Sequence, residues 1–392
     1  MKDVLIVSGA RTPIGDFGGQ FSRMLANELA VTAVGEALKR ANITRDMVEE
    51  VILGNCVQRT DEPNLGRTVA LRAGMPKETT GFTIQRQCSS GMQAVVSAYQ
   101  EIVLGDVEIV VAGGAESMSS APYVLKGARW GQRLQHDQFT DSLWELLTDP
   151  LHGILMGVTA ENLAQKYAIT REEQDIIALR SHTNAARATQ DGTFAEEIVA
   201  VPVKGRKGAV SLVDTDEHIR TDLSMEKLAK LPPAFKEGGT VTAGNASGLN
   251  DGAAAMVLMS GEKAASLSAR PLGRLVSYAW AGVEPELMGY GPVPATQKAL
   301  DKAGLKLADM DLIEVNEAFA AQYLACEKLL DLNRNIVNVN GSGVGLGHPV
   351  GCTGARIMLT LLYELRRRGK KYGLATLCVG GGMGMAVIVE SI

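Results

Sequence analysis

The order of elements read from the first third of this chain is read again in its last third. Ala37-Leu38-Lys39-Arg40-Ala41-Asn42 is echoed by Ala299-Leu300-Asp301-Lys302-Ala303-Gly304. Each segment is followed by an acidic turn and a short apolar strand, Val51-Ile52-Leu53-Gly54 in one and Ile313-Glu314-Val315-Asn316 in the other. Val110-Val111-Ala112-Gly113-Gly114 is likewise matched by Leu377-Cys378-Val379-Gly380-Gly381. The two copies are offset by about 262 to 267 residues, which implies two homologous α/β halves. Such halves pack together and place sites at the carboxyl ends of their strands.

Within the first copy, residues 4–8, 50–54, 81–85 and 108–114 read as strands, and 25–41 as a helix with Leu25, Leu29, Val31, Ala33, Val34, Ala37 and Leu38 at helical spacing. The run 108–114 is continuously apolar, as in a parallel strand covered on both sides. Residues 119–248 are more polar and less regular, with a clear helix at 172–190. They read as an inserted loop domain that carries a binding surface. Strand character resumes at 253–259. The expected units are therefore 1–118 with a returning segment 249–271, the insertion 119–248, and 272–392.

Charge and cysteine usage narrow the function. A net charge of −5 argues against nucleic acid as a partner. Five cysteines without a CxxC pair form neither a disulfide framework nor a zinc pattern, so no metal is expected and the compartment is reducing. Met1-Lys2-Asp3 runs directly into the first strand, so no signal peptide is expected and the reading is cytoplasmic. The longest weakly polar run, 375–389, is too short to span a bilayer. Lys204, Arg206 and Lys207 read as a solvated turn.

Four segments carry chemistry. Cys88 lies in Gln87-Cys88-Ser89-Ser90-Gly91, where strand 81–85 gives way to a helical run at 92–104. At such a junction the sulfur faces N–H groups of the helix's first turn, which favours the nucleophilic thiolate. Taken alone, a cysteine is better explained as a small core hydrophobe, and it is the other three segments that reverse this. His348 is the one histidine of five in a glycine-rich turn, Gly345-Leu346-Gly347-His348-Pro349-Val350-Gly351, and Pro349 biases it away from helix. Asn316, after strand 312–315, suits the N-cap of a helix at 318–330 or the holding of a water. Its neighbour Glu317 is expected to be buried and hydrogen-bonded. Cys378 ends a strand from Tyr372 and enters Gly380-Gly381-Gly382-Met383-Gly384, whose N–H groups are free to bind an oxyanion.

Together with Arg11-Thr12-Pro13-Ile14-Gly15, Gly113-Gly114-Ala115-Glu116-Ser117-Met118 and Thr240-Val241-Thr242-Ala243-Gly244-Asn245-Ala246-Ser247-Gly248, these segments resemble the thiolase family over essentially the whole chain. The resemblance implies a five-layered αβαβα core of duplicated α/β halves with an inserted loop domain. It implies an acyl-CoA C-acyltransferase that condenses two acetyl-CoA to acetoacetyl-CoA plus CoA, or runs thiolysis in reverse. Cys88 would carry the acyl group and His348 would take its proton. Cys378 would be the base toward the carbon beside a thioester carbonyl. His348 with a water held by Asn316 would form one oxyanion hole, and the N–H groups of Cys88 and Gly380 the other. Coenzyme A is then a cosubstrate, with no bound cofactor. Its contacts fall on Arg220, Phe235, Ala243, Ser247, Met156, Ala318 and Phe319, with Arg220 at the nucleotide phosphates. The family also implies a homo-oligomer, dimer or tetramer, with contacts near residues 123–130.

Departures bear on chain length. Leu155 stands where short-chain biosynthetic members carry histidine, which removes a polar group from the acyl path. The stretch 86–91 is similar to the broader-chain degradative branch. Residues 380–384 and 288–292 are similar to the acetoacetyl-CoA branch, toward which the reading leans. The alternatives are a degradative 3-ketoacyl-CoA thiolase and, further off, a non-catalytic acyl-CoA-binding protein. A decarboxylating ketoacyl synthase would lack Cys378, and a Cys-His-Asn hydrolase would need one oxyanion site. Cys352 is a candidate redox partner for Cys88 or Cys378.

Overall fold

The computed structural model describes residues 3–134, 136–205 and 208–392, so Arg206 and Lys207 of the expected basic turn lie outside the described residues. Nine main strands are β1 (Val4–Arg11), β2 (Glu50–Gly54), β3 (Thr80–Ile84), β4 (Ile109–Ser117), β5 (Asn250–Ser260), β6 (Gly273–Gly282), β7 (Leu312–Val315), β8 (Tyr372–Val379) and β9 (Met383–Ser391). The longer helices are α1 (Ala26–Ala41), α2 (Leu65–Arg72), α3 (Ser90–Leu104), α4 (Met156–Lys166), α5 (Arg171–Gln190), α6 (Pro292–Ala303), α7 (Ala320–Leu330) and α8 (Val350–Arg368).

The first half orders its strands β3-β2-β4-β5-β1, and the second β7-β8-β9-β6. A parallel bridge between Ile313 and Val337 takes the place of β3 in the second half. Each half has the same mixed pattern. β2 is parallel to β3 and β4, and β7 to β8, while the remaining neighbours are antiparallel. The two sheets join where Leu5 and Ile6 of β1 meet Arg274 and Gly273 of β6. The strand expected as parallel at 108–114 therefore lies in a mixed sheet. Its unbroken apolar run reports two covered faces, not the direction of its neighbours.

Strand periodicity sorts the side chains into layers. Val51, Val111 and Val257 face outward onto α1 and α2. Their neighbours Ile52, Val110 and Met256 face inward onto α3 and α8. In the second half Leu377 and Val387 face the same inner helices. Leu374 and Ile388 face outward onto α6 and α7. The result is helix, sheet, helix, sheet, helix: the five layers of the resemblance. Small residues let the two central helices touch. A Cβ on Gly91 would lie 2.8 Å from the Gly351 carbonyl oxygen, and one on Gly354 would lie 2.6 Å from the Met92 nitrogen.

The insertion leaves the first sheet after β4 and returns as β5, which lies between β4 and β1. Helix α5 opens with a capping box, in which Thr170 and Glu173 satisfy each other's backbone N–H groups. Buried Arg11 ties the insertion to β1 through Glu197 at 2.6 Å and Asp216 at 2.7 Å. Removing either acid would leave the guanidinium partly unpaired in the core, which is the costly way to break such a pair.

Candidate active site

Strand β3 ends at Ile84 and α3 begins at Ser90, so Cys88 sits in a five-residue turn. Gln87 takes a left-handed conformation there, φ +46°, unusual for a residue with a side chain. Its carbonyl accepts from Ser90 Oγ at 2.6 Å and from Cys56 Sγ at 3.0 Å. The backbone N–H groups of Cys88 and Gly380 hydrogen-bond toward the Cys88 thiol and favour its ionisation. Burial outweighs them and pushes the thiol up to about 11, with the Glu116 charge adding to the rise. The sequence expectation of a resting thiolate is thus corrected. Dehydration of the anion exceeds the help of the helix start.

His348 stands just before α8, at the equivalent place in the second half. Its backbone N–H donates to Asn250 Oδ1 at 2.9 Å, and its Nδ1 lies 2.7 Å from Thr353 Oγ1. The Thr353 hydroxyl donates its proton to the Pro349 carbonyl at 3.0 Å, so it accepts from Nδ1–H. That assignment leaves Nε2 with its lone pair, 3.4 Å from Asn316 Nδ2. Burial and then the nearby Arg356 charge push the imidazole down to about 3. The base is neutral at pH 7.

Asn316 is not the N-cap of the following helix, since α7 starts at Ala320 with Phe319 as its cap. The segment between β7 and α7 is irregular, and only Phe319 in it is extended, its backbone bridging Ala246 of the insertion. Asn316 Oδ1 is buried with no protein partner. Glu317 is buried and accepts from Ser181 Oγ at 2.5 Å and Asn338 Nδ2 at 2.8 Å. Cys378 is fully buried near the end of β8, where burial and then Cys88 push its thiol far up. All five cysteines are free, so the structure contains no Cys352 crosslink.

Cys88 and His348 share the wall of a cavity of about 560 Å³ with Met156, Phe235, Ala243, Ser247, Ala318 and Phe319. The Phe235 and Phe319 rings meet edge to face at 5.8 Å. Gly157 is required beside them, because a Cβ there would fall on the Phe235 ring. The Ser247 N–H donates to the Ala318 carbonyl at 2.9 Å and stitches the insertion to the second half. Leu155 is on the same wall. Asn316 and Cys378 lie off the wall of this cavity, and Gly380 lines an adjacent one of about 460 Å³ with Gln87 and Met156. Arg220 is not on the wall. Its exposed guanidinium pairs with Asp16 at 2.9 Å, next to the lining residue Phe17.

Sequence reasoning missed Leu143, Trp144 and Leu147, which close the cavity from the insertion, and Thr353 and Asn250, which orient His348. Thr353, five residues after His348 on a helix start, was the one with a readable signal. Among the described residues no cluster of acidic, cysteine or histidine side chains could hold a metal. No described helix is long and apolar enough to cross a membrane.

Comparison with known proteins agrees with this architecture. A family model described as "Thiolase, N-terminal domain" matches residues 4–262, and one described as "Thiolase, C-terminal domain" matches 269–391. The chain is 50% identical over 396 residues to an acetyl-CoA acetyltransferase of Syntrophomonas wolfei, covering 100% of both. It is 51% identical over 395 residues to a beta-ketothiolase of Cupriavidus necator, again covering 100% of both. The crystal structure of the Bacillus anthracis acetyl-CoA acetyltransferase is similar with a TM-score of 0.99 and 58% identity, over 100% of this chain and 99% of that one. That of human mitochondrial 3-ketoacyl-CoA thiolase is similar at 0.97 and 46%, with the same coverage.

Proposed function

This chain belongs to the thiolase family, and from that premise we propose that it is an acetyl-CoA C-acetyltransferase working through an acyl group on Cys88. It condenses two acetyl-CoA to acetoacetyl-CoA and CoA, and catalyses thiolysis in the other direction. The observation that carries the residue assignment is the meeting of Cys88 and His348, one from each half, on the wall of a single apolar cavity.

The chemistry follows from the protonation states. Cys88 gives its proton to His348 Nε2 as the sulfur attacks the thioester carbonyl, and the N–H groups of Cys88 and Gly380 hold the developing oxyanion. The departing CoA sulfur collects the Cys378 proton. A thiol whose ordinary value has been raised by burial is a strong base once ionised, which suits a weak carbon acid. Cys378 then removes a proton from the carbon next to the second thioester carbonyl. Nε2–H of His348 and a water held by Asn316 stabilise the enolate oxygen. The enolate carbon attacks the acyl carbonyl, the Cys88 sulfur leaves, and His348 returns its proton.

The wall residues Met156, Phe235, Ala243, Ser247, Ala318 and Phe319 hold the pantetheine arm. Arg220 meets the nucleotide end from the rim, after exchanging Asp16 for a phosphate. The protein acts as a cytoplasmic homo-oligomer, dimer or tetramer. Tyr123, Val124, Leu125, Trp130 and Phe139 of the insertion are exposed, Trp130 at 86%, and supply the contact.

Thiolysis of acetoacetyl-, 3-ketohexanoyl- and 3-ketodecanoyl-CoA by CoA, followed by loss of enolate absorbance, tests the reading. Turnover confined to the four-carbon substrate supports it. Comparable turnover of the longer chains moves the protein to the degradative branch, and no turnover of any of them sinks the assignment.

A further inference from the structure

We propose that Glu116 is a positioning residue that sets the Cys88 turn against the His348 turn, a role that rests on the assignments of Cys88 and His348 above. Glu116 projects from β4 and is fully buried. Its two oxygens take four donors. Oε1 accepts from Asn55 Nδ2 at 2.8 Å and the Val57 N–H at 3.1 Å. Oε2 accepts from the Cys56 N–H at 2.9 Å and the Gly351 N–H at 2.9 Å.

These donors belong to two different supports. Segment 55–57 follows β2 and underlies the nucleophile. Its Asn55 N–H donates to the Ile84 carbonyl at 3.1 Å, and Cys56 Sγ donates to the Gln87 carbonyl at 3.0 Å. Ser90 Oγ bonds the same carbonyl, so two side chains hold Gln87 in its left-handed conformation beside Cys88. Gly351 belongs to the first turn of α8, three residues after His348. One carboxylate thus spans the two halves of the molecule, at a point where a Cβ on Gly351 would come within 2.7 Å of Glu116 Oε2. Only a carboxylate meets the geometry. A glutamine would aim its own NH₂ group at N–H donors on one side and free that turn.

A fold-supporting role and a positioning role make different demands on Glu116→Gln. The negative charge of Glu116 pushes the Cys88 thiol up. Its removal shifts the pH profile of Cys88 alkylation by iodoacetamide toward lower pH. Electrostatics alone would therefore make the variant more reactive. Misplacement of the sulfur from the imidazole by about an ångström instead lowers kcat for acetoacetyl-CoA thiolysis about hundredfold, with KM for CoA within about twofold. The expected result is both at once: easier ionisation with slower turnover. Cys56→Ala is expected to lose about tenfold in kcat, whereas Cys56→Ser keeps a donor to the Gln87 carbonyl and stays near the parent rate. A Glu116→Gln variant that melts earlier but turns over at the parent rate overturns the proposal. If that variant does not fold, the Cys56 pair decides, and equal rates in Cys56→Ala and the parent overturn it. Retained turnover in Cys88→Ala would instead sink the reading on which the proposal stands.

Discussion

The turn that leads into α3 passes through Gln87 with φ +46°, while the turn that leads into α8 passes through Gly347 with φ +101°. Each turn delivers a reactive side chain to the same cavity from equivalent places in a duplicated fold. The first imposes left-handed geometry on a residue that resists it and holds it with hydrogen bonds from Ser90 and Cys56. The second uses glycine, which adopts the conformation freely, and then Pro349. Burial acts on the two side chains with opposite sign. It pushes the Cys88 thiol up to about 11 and the His348 imidazole down to about 3, because one is charged by losing a proton and the other by gaining one. Duplication therefore supplied two like positions, and the residues placed there form a neutral pair. In the proposed mechanism the pair exchanges its proton only when a thioester carbonyl receives the sulfur's electrons.

The comparison breaks most completely if either half works alone. Cys88→Ala should lower thiolysis by about 10⁴-fold or more and leave no acetyl adduct in intact mass after incubation with acetyl-CoA. Cys378→Ala should accumulate that adduct while condensation falls by about 10²- to 10⁴-fold. Near-normal condensation would mean that the second half's sulfur is not the base. Thr353→Val removes the acceptor for His348 Nδ1–H and should cost about tenfold in kcat by freeing the ring, read in single-turnover acylation.

Stability against pH sharpens the contrast. His348 is held down to about 3, against about 6.5 when unfolded. The unfolded chain therefore binds the extra proton as pH falls through 6.5, and stability present above that value is lost toward pH 3. Cys88 runs the other way. Its contribution is present below about 8.5 and is lost as pH rises toward 11. Urea midpoints across pH 4 to 10 should lose part of the acid limb in His348→Asn and part of the alkaline limb in Cys88→Ala. His182, also held down to about 4 by burial, sustains the remaining acid limb. The smallest effect expected is that of Arg220→Ala, which should raise KM for CoA about threefold with kcat unchanged.

Much of the fold was legible because its signal is strong and local. Continuous or alternating apolar runs marked β2, β4, β5 and β8, and the repeat paired them into halves. Strand direction was not legible at 109–117, since a strand covered on both faces carries the same apolar pattern in either direction. At the site, the motifs pointed to Cys88 and His348, which share one wall, and to Asn316, which contacts the His348 ring. Cys378 lies close enough to Cys88 for the Cys88 sulfur to push the Cys378 thiol further up. Asn316 resembles a cap because the interval 316–319 looks helical in composition, but the helix waits until Ala320 while Phe319 pairs with Ala246. The resting thiolate was not to be had from sequence, because a helix start can be read there whereas burial cannot. Leu143, Trp144 and Leu147 come from an irregular insertion whose path no periodicity encodes.

The pairing of β1 with β5 also governs how the chain is made. Val4 meets Ser260 and Arg11 meets Ala254. A ribosome adding about 5 to 20 residues per second releases β5 on the order of tens of seconds after β1. Throughout that interval the first strand has neither of its sheet neighbours, β5 and β6. The whole insertion is synthesised before the sheet it interrupts can close. A nascent chain stalled short of Ser260 would be a natural client for a chaperone.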